Sequence, residues 1–420
     1  MSNRHPRRPF ALLGTKSFGT FWWSSLLSNI GTWAQSVAQP WLLLSLGASP
    51  FVLGLDAFAM GGPVLMLTLV GGVLADRVDR RRVIAYLQSA QMLCPILIIG
   101  LLLGHQLQPW MIVLLSLVVG ITDALSMPSF QSIVPTIVAR DELANGIALN
   151  AVQFNLSRIL GPAVAGLLMT RLGAAGAFGV SALSYVPFIL VAIWVLPADL
   201  HPATRDSTPE FQRLRATLRD IAQQPRLRTV LLTTCVTSMF CSPLVTFCPL
   251  LVREVLHASV GIFSVAMVAF GVGGLLGATL LVGVDPRHDR GSISLVFALM
   301  LAVIVMIGAL NTSIVMSIAL FTLAGLAMTI ANATANALVQ SEASSAVRGQ
   351  SVALFMLCAR GGGAFGNLLT GYAIGRFGLQ TILAVNGAIA ITVLLRLWIA
   401  HRNAHIRPQT ESVVSLVPRR

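Results

Sequence analysis

A few ionisable side chains lie within long apolar stretches of the sequence, where a charge is costly. They are Asp56, Asp123, Arg158, Arg360 and Arg396. A carboxylate in such a setting can take up and release a proton, and a buried guanidinium can pair with a carboxylate or with an anionic ligand. The chemistry available to these groups is therefore proton transfer and charge pairing.

Asp123 and Arg158 lie in neighbouring apolar stretches, the fourth and the fifth. At 1.5 Å per residue their depths differ by about 5 Å, which an arginine side chain spans. We therefore predict that the two pair. Two interpretations stay open: the pair makes and breaks as protons bind, or it is permanent and fixes the packing of the helices.

The remaining charges have less obvious partners. Asp56 lies near the outer end of the second stretch, where it is either a proton site or simply faces water. Arg360 finds no acid in the tenth stretch, whose polar residues include Asn332 and Asn336. We expect Arg360 to hydrogen-bond those amides or to meet an anionic substrate. Arg396 is close enough to the end of its stretch to reach water.

Polar side chains also follow a helical period in the first apolar stretch. The stripe, with the tryptophan beside it, consists of Ser25, Asn29, Thr32, Trp33, Ser36 and Gln39. Spacings of three and four place these residues on one helix face, which in a lipid environment must face protein or a watery cavity. Shorter stripes occur at Thr234 and Ser238 and at Asn332 and Asn336. We predict an amphipathic substrate cavity lined by these residues; hydrogen bonding between packed helices is the alternative.

The composition identifies the elements that position these residues. Of 420 residues, 55% are hydrophobic and only 10% are charged, whereas a soluble domain carries about 25% charged residues. Twelve stretches are long enough to cross a bilayer as helices. They are 17–46, 51–75, 83–103, 110–131, 146–170, 174–196, 229–252, 260–283, 292–311, 314–338, 350–374 and 378–400. The sequence thus predicts an all-α membrane protein.

The formal net charge of +13 does not indicate a nucleic-acid-binding protein, because the arginines lie in short loops between apolar stretches. Loops on one side are rich in arginine, and loops on the other hold only Arg171, Arg253 and Arg376. Cytoplasmic loops carry the excess of Lys and Arg. We therefore expect both termini in the cytoplasm and the protein in the cytoplasmic (inner) membrane.

The two halves of the chain resemble each other. Phe58 to Gly62 in the second stretch is similar to Phe270 to Gly274 in the eighth. An internal repeat of this kind is typical of transporters built from two related bundles. The expected organisation is an N-terminal six-helix bundle, a cytoplasmic linker, a C-terminal six-helix bundle and a cytoplasmic tail. Their ranges are 1–196, 197–228, 229–401 and 402–420.

The loop between the second and third stretches, Gly71 to Arg82, reads Gly-Gly-Val-Leu-Ala-Asp-Arg-Val-Asp-Arg-Arg-Arg. It resembles the signature cytoplasmic loop of the major facilitator superfamily, Gly-x-Leu-Ala-Asp-Arg-x-Gly-Arg-Arg. Asp79 stands where the general signature has Gly, a variant similar to the exporter branch of enterobactin exporters and macrolide efflux proteins. The resemblance implies a loop that latches one conformational state. The latch residues are Gly72, Asp76, Arg77, Asp79, Arg80 and Arg81.

Gly161 and Pro162 in the fifth stretch resemble the antiporter motif of exporters, which ends in Gly-Pro-x-x-Gly-Gly. The next glycine here is Gly166, so the match is incomplete. Proline removes a backbone donor and bends a helix. A bend at these three residues is expected to help seal one end of a pathway.

The resemblance implies two pseudo-symmetric six-helix bundles, the major facilitator fold. It also implies a secondary transporter that exports a siderophore-like metabolite or a drug, by proton antiport and alternating access. Small-molecule substrate, protons and membrane lipids are the expected partners, and many such proteins are monomers. An importer or uniporter of a polar metabolite, and a non-transporting sensor or assembly factor, remain alternatives. No nucleotide-binding loop, metal-ligand spacing or catalytic motif occurs in the sequence, so neither enzyme activity nor a cofactor or metal is expected.

Overall fold

All regular secondary structure in the described part of the chain is helical. The structure is a computed structural model, and it describes residues 9–67, 79–131, 133–139, 141–196, 224–283, 289–342 and 348–414. The predicted latch residues Gly72, Asp76 and Arg77, and residues 197–223 of the predicted linker, lie outside these ranges.

Helices α1 to α6 come from the first half of the chain. Their bounds are α1 Lys16–Ser45, α2 Pro50–Leu67, α3 Arg80–Leu103, α4 Pro109–Gln131, α5 143–172 and α6 174–194. A 3₁₀ helix, Pro9–Gly14, precedes α1, and a five-residue helix, Ile133–Ile137, lies between α4 and α5.

Helices α7 to α12 come from the second half. Their bounds are α7 Pro225–Val255, α8 Val260–Val282, α9 Arg290–Leu310, α10 Ile314–Glu342, α11 Gln350–Phe377 and α12 Leu379–Val414. Two of these helices contain a π-helical turn, Leu251–Val255 in α7 and Leu357–Gly361 in α11. Such turns are rare in proteins, and many of those that do occur are found at functional sites.

Ten helices in the described residues are long and apolar enough to cross a membrane. One of them, Leu143–Trp194, has 52 residues, which at 1.5 Å per residue is about 78 Å, enough for two crossings. It reverses at Gly173, where φ is 66° and ψ is −167°, and this reversal separates α5 from α6. Helix α1 has the length of a span, 30 residues, but its polar stripe lowers its hydropathy. The total of twelve agrees with the sequence prediction.

Local signals in the sequence set several helix ends. Prolines begin α2, α4 and α7, where the missing N–H costs nothing because the first turn leaves that donor unused. Gly378 follows α11 with φ of 82°, a conformation that glycine adopts without a steric penalty. These signals place the connections between helices, and therefore the depth of each side chain along its helix.

Asp79 and Asp289 occupy the same position in the two halves of the chain. The Asp79 carboxylate accepts a hydrogen bond from the Arg81 amide at 3.0 Å, and the Asp289 carboxylate accepts one from the Gly291 amide at 3.1 Å. Each aspartate thereby caps the N-terminus of a helix, α3 or α9. The predicted latch residue Asp79 thus has a structural role that the signature loop did not indicate.

The two halves contact each other mainly along two pairs of helices, α2 with α11 and α5 with α8. Small residues bring the backbones close. A methyl group added at Gly54 of α2 would lie 2.5 Å from the carbonyl oxygen of Asn367 in α11, and one at Gly271 of α8 would lie 2.6 Å from the carbonyl oxygen of Arg158 in α5. Close approach at small residues is how membrane helices gain packing energy without a hydrophobic driving force.

The bundle differs at its two ends. At the end where residues 46–49 join α1 to α2, which we call the closed end, one buried apolar cluster contains residues from both halves, among them Leu43 and Phe247. At the other, open end the described residues form two separate clusters. One, around Phe18 and Phe188, belongs to the first half, and the other, around Leu227, belongs to the second.

A further contact joins the halves at the closed end. The Arg253 guanidinium, near the end of α7, donates a hydrogen bond of 2.6 Å to the carbonyl oxygen of Leu44 in α1. The rings of Trp41 in α1 and Phe263 in α8 also stack, with centroids 5.6 Å apart. The closed end is therefore held by both polar and aromatic contacts between the halves.

Candidate functional site

A cavity of about 200 Å³ lies between the two halves, toward the closed end. Its walls come from α1, α2 and α5 of the first half and from α7 and α8 of the second. The lining residues are Trp33, Ser36, Val37, Gln39, Pro40, Leu53, Asp56, Ala57, Met60, Arg158, Pro162, Val245, Thr246, Pro249, Phe263, Met267 and Phe270. Most of these side chains are apolar, and only Asp56 and Arg158 are charged, as in many small-molecule sites.

Asp56 is buried, with 5% of its surface exposed, so the expectation that it faces water is wrong. Both carboxylate oxygens accept from the Gln39 amide nitrogen, at 3.0 and 2.8 Å, and Oδ1 also accepts from the Ser116 hydroxyl at 2.5 Å. Residues from α1 and α4 thus satisfy a carboxylate of α2. Burial of an acid in an apolar protein requires partners of this kind.

The polar face of α1 extends this network. The Gln35 amide donates to Gln39 at 3.3 Å, and its oxygen accepts from the Ser181 hydroxyl of α6 at 2.7 Å. The predicted stripe contains Ser36 and not the adjacent Gln35, although both positions fit a spacing of three or four from Thr32 and Gln39. A chain of hydrogen bonds therefore runs from α6 through α1 to Asp56.

Several predicted cavity residues of α1 lie outside the cavity wall. Ser25 is buried, Asn29 is half-buried, and Thr32 donates to the Ser28 carbonyl at 3.0 Å with its hydroxyl 3.4 Å from that of Tyr185. Trp33, Ser36 and Gln39 line the cavity. The stripe is thus divided, with its part toward the closed end contributing to the cavity.

Arg158 of α5 lies between two aromatic rings from different halves. Its guanidinium carbon is 5.6 Å from the centroid of Trp33 in α1 and 5.4 Å from that of Phe270 in α8. Its Nε is buried and has no hydrogen-bond partner among the described residues. The predicted pair with Asp123 is therefore absent, and aromatic faces hold the cation instead.

Asp123 of α4 pairs with Arg360 of α11. Arg360 Nη1 donates to Asp123 Oδ2 at 2.9 Å, and the two side chains are 45% (Asp123) and 39% (Arg360) exposed. The expectation that Arg360 would bind the amides of Asn332 and Asn336 is also wrong. Arg360 lies in the π-helical turn of α11, whose extra residue turns the side chain relative to a regular helix. This ion pair links the two halves.

The other predicted polar residues of the second half do not line the cavity. The Thr234 hydroxyl of α7 donates to the Val230 carbonyl at 2.9 Å, and Ser238 is buried close to Gly362 of α11. Asn336 of α10 accepts from the Gln340 amide at 3.1 Å, and Asn332 is half-buried. In this conformation these residues serve packing within the second half.

Gly161, Pro162 and Gly166 pack α5 against its neighbours. Gly161 abuts Trp33 of α1, and a methyl group at Gly166 would lie 2.5 Å from Cβ of Ser264 in α8. Within this stretch the non-helical dihedral angles occur at Gly173, not at Pro162, so the sharp reversal of the backbone lies beyond the motif. A role for these residues in sealing the pathway stays a prediction.

The described part of the predicted latch is built around Asp79. Its carboxylate lies 3.3 Å from Arg81 Nε and 3.8 Å from Arg82 Nε. Arg81 also donates to the carbonyl oxygen of Ile193 in α6 at 3.4 Å. These contacts tie the start of α3 to the end of α6 within the first half. Among the described residues, no three His, Cys, Asp or Glu side chains come together as metal ligands would.

Comparison with known proteins agrees with this architecture. The chain is 22% identical to the staphyloferrin A transporter of Staphylococcus aureus over 92% of its own length and 97% of that protein. It is 29% identical to the enterobactin exporter of Shigella boydii over half of each chain. The structure resembles a bacterial homolog of the human lysosomal transporter Spinster, with a TM-score of 0.67 at 18% identity, over 95% of this chain and 98% of that one.

A family model described as transmembrane secretion effector matches residues 7–416, nearly the whole chain. The helical pattern, the cavity between two halves and the signature loop are all those of a multi-pass membrane transporter for small molecules. The chain therefore belongs to the transmembrane secretion effector family of the major facilitator superfamily.

Proposed function

We propose that the protein exports a siderophore-like, amphipathic small molecule across the cytoplasmic membrane by alternating access. The observation that carries the proposal is the asymmetry of the bundle: a shared apolar cluster joins the halves at the closed end, and separate clusters form at the open end. A cavity between such halves admits a molecule from one side at a time. The named substrates of the two relatives, staphyloferrin A and enterobactin, support a siderophore-like cargo.

The direction of opening follows from the arginine-rich loops. With both termini in the cytoplasm, as the charge bias favours, the open end faces the cytoplasm and the closed end faces outward. The conformation described here then loads substrate from the cytoplasm. The cavity is complete within a single chain, so a monomer suffices for transport, with lipid surrounding the helices.

Proton antiport is the proposed source of energy, with Asp123 as the coupling acid. Its carboxylate is about half exposed and pairs with Arg360 across the two halves. A proton on Asp123 removes the charge that holds Arg360 and so frees the halves to move relative to each other. Each proton entering down the membrane potential supplies about 2.3 kcal/mol per 100 mV.

The test uses inverted membrane vesicles with an acidic interior, to which siderophores and cationic drugs are added singly while the pH gradient is followed. A transported compound should dissipate the gradient, and Asp123→Asn should abolish the effect. Asp141→Asn, at an exposed acid in the turn before α5, is the matched control and should dissipate the gradient like the wild type.

Other outcomes assign the function differently. Dissipation that persists in Asp123→Asn places coupling elsewhere, with Asp56 as the next acid to test. Substrate movement out of the vesicles in place of uptake would reverse the direction and indicate an importer. A folded protein that moves no proton and no compound in the panel would contradict the exporter proposal.

A further inference from the structure

Arg158 presents a positive charge whose hydrogen-bonding capacity is unmet. A guanidinium carries five N–H donors, and no hydrogen bond or ion pair to Arg158 occurs within the described residues, where its buried Nε has no acceptor. Leaving a buried donor unmatched is costly, and more so for a charged group. A cavity that keeps such a group is suited to a ligand that supplies the acceptors.

We propose that Arg158 receives an anionic group of the substrate, a paired-oxygen anion such as a carboxylate. The cavity then selects acidic amphipathic molecules over cationic ones. The inference rests on the proposed export function, because it names the substrate class of that cavity. A guanidinium forms two parallel hydrogen bonds with such an anion, which fixes the orientation of the ligand.

The second charged residue of the cavity does not meet this need. Asp56 already accepts from Gln39 and Ser116. It makes no ion pair with Arg158. Among the described residues, neither charge in the cavity wall has an oppositely charged partner, but Asp56 is hydrogen-bonded whereas Arg158 is not. The unmet polar group in the wall is therefore a donor, which calls for a ligand that supplies acceptors.

The surroundings of Arg158 suit an amphipathic ligand. The rings of Trp33 and Phe270 lie within 5.6 Å of the guanidinium carbon, and the cavity wall also contains the apolar residues Val37, Leu53 and Met267. The cavity volume of about 200 Å³ is below the 300 Å³ or more typical of pockets that enclose a whole ligand. It therefore holds the acidic part of a larger molecule, whose remainder extends toward the open end.

The aromatic rings also make this site sensitive to conformation. Trp33 belongs to the first half and Phe270 to the second, so a rocking motion that parts the halves at the closed end removes Phe270 from the guanidinium. Affinity for the anion then differs between the two states, and a ligand can drive a conformational change only through such a difference. Arg158 thereby both recognises the anion and lets it go on the outer side.

The experiment compares three ligands of one shape and different charge: naphthoic acid, naphthamide and naphthylmethylamine. Binding to the purified full-length protein in detergent is followed by tryptophan fluorescence and by the thermal unfolding midpoint. We expect the acid to bind at least tenfold more tightly than the amide, and the amine to bind most weakly. In Arg158→Gln the acid and the amide should bind equally, and Arg158→Lys should keep a reduced preference for the acid.

Arg396→Gln, which removes an exposed arginine of α12, is the matched control and should keep the full preference. If Arg158→Gln does not fold, the inference is tested by the relative affinities of the three ligands for the wild type and for Arg158→Lys. Equal or tighter binding of the amine, or no binding of any of the three up to millimolar concentration, would overturn the inference. The assay needs no pH gradient, so it separates this inference from proton-driven export: a vesicle assay that transports only cationic drugs would leave export standing and refute the role of Arg158.

Discussion

Asp123 and Arg360 are 237 residues apart in sequence, yet their side chains meet at 2.9 Å. One belongs to α4 and the other to α11, so each half of the protein contributes one charge. Both side chains are more than one third exposed, and an ion pair so accessible to water contributes at most about 1 kcal/mol to stability. The role that we propose for the pair therefore concerns the movement of the halves and not the stability of the fold.

Removing the Arg360 charge should uncouple transport without unfolding the protein. We expect Arg360→Gln to abolish substrate-dependent proton flux in vesicles and to lower the free energy of unfolding by less than about 1 kcal/mol. The double variant Asp123→Arg with Arg360→Asp restores the pair in reverse and should be as stable as the wild type. A large loss of stability in Arg360→Gln would show that the pair is structural.

The capping role of Asp79 can be separated from a latch role. Asparagine caps helices about as well as aspartate, whereas alanine at this position costs about 1 kcal/mol. If capping is the function of Asp79, Asp79→Asn should keep both thermal stability and transport, and Asp79→Ala should lose stability. If Asp79→Asn loses transport while its unfolding temperature is unchanged, the negative charge of Asp79 is required for a latch role and not only for capping.

Asp289 gives the protein a pH-dependent contribution to stability. Burial alone would raise the pKa of Asp289, but hydrogen bonds from His401, Ser292 and the Gly291 amide, with the charge of His401, outweigh burial and lower that pKa to about 2. Because the folded-state pKa is below the ordinary value of 3.8, the stabilisation is complete above that value and is lost as pH falls toward 2.

The measurement is the unfolding midpoint in detergent between pH 6 and pH 2, compared for wild type and Asp289→Asn. The difference in the free energy of unfolding between wild type and Asp289→Asn should be constant above about pH 4 and should shrink below it. The upper limit of this difference is about 2 kcal/mol. Asp141→Asn, at an exposed turn, serves as control and should parallel the wild type. A difference that grows as the solution becomes acidic would contradict the assigned direction.

Close packing of α5 on α8 should make Gly166 intolerant of side chains. A methyl group there would lie 2.5 Å from Cβ of Ser264, so Gly166→Ala must push the helices apart, at a cost of about 1–3 kcal/mol. Gly179→Ala is the matched control, because a methyl group at this helical position meets nothing within 4 Å. The thermal unfolding midpoint and the rate of transport into vesicles should both fall in Gly166→Ala. Both should remain near the wild-type values in Gly179→Ala.

The sequence predicted the helices well because membrane spans depend on local composition. Long apolar stretches, prolines at helix starts and Gly378 after α11 are all local signals. The sequence also identified Arg158 and Asp56 as costly charges that need an explanation. Each lines the cavity, although neither has the surroundings that were expected.

The partners of those charges could not be predicted in the same way. Counting residues along the helices places Asp123 and Arg158 within about 5 Å of each other in depth. Pairing, however, also depends on helix tilt and on the direction in which each side chain leaves its helix. The π-helical turn at Leu357–Gly361 changes that direction for Arg360, and hydropathy does not indicate it. Similarly, the choice between Gln35 and Ser36 on α1 depends on contacts with α6, which the spacing along α1 does not contain.

The reversal at Gly173 has a mechanical consequence. Helices α5 and α6 are joined by this one residue, which leaves no slack between them. In the proposed transport cycle, a movement of α5 relative to α8 also displaces α6, and with it Ile193, whose carbonyl oxygen accepts a hydrogen bond from Arg81. The proposed cycle therefore links the contact between α5 and α8 to the start of α3 through a single-residue connection.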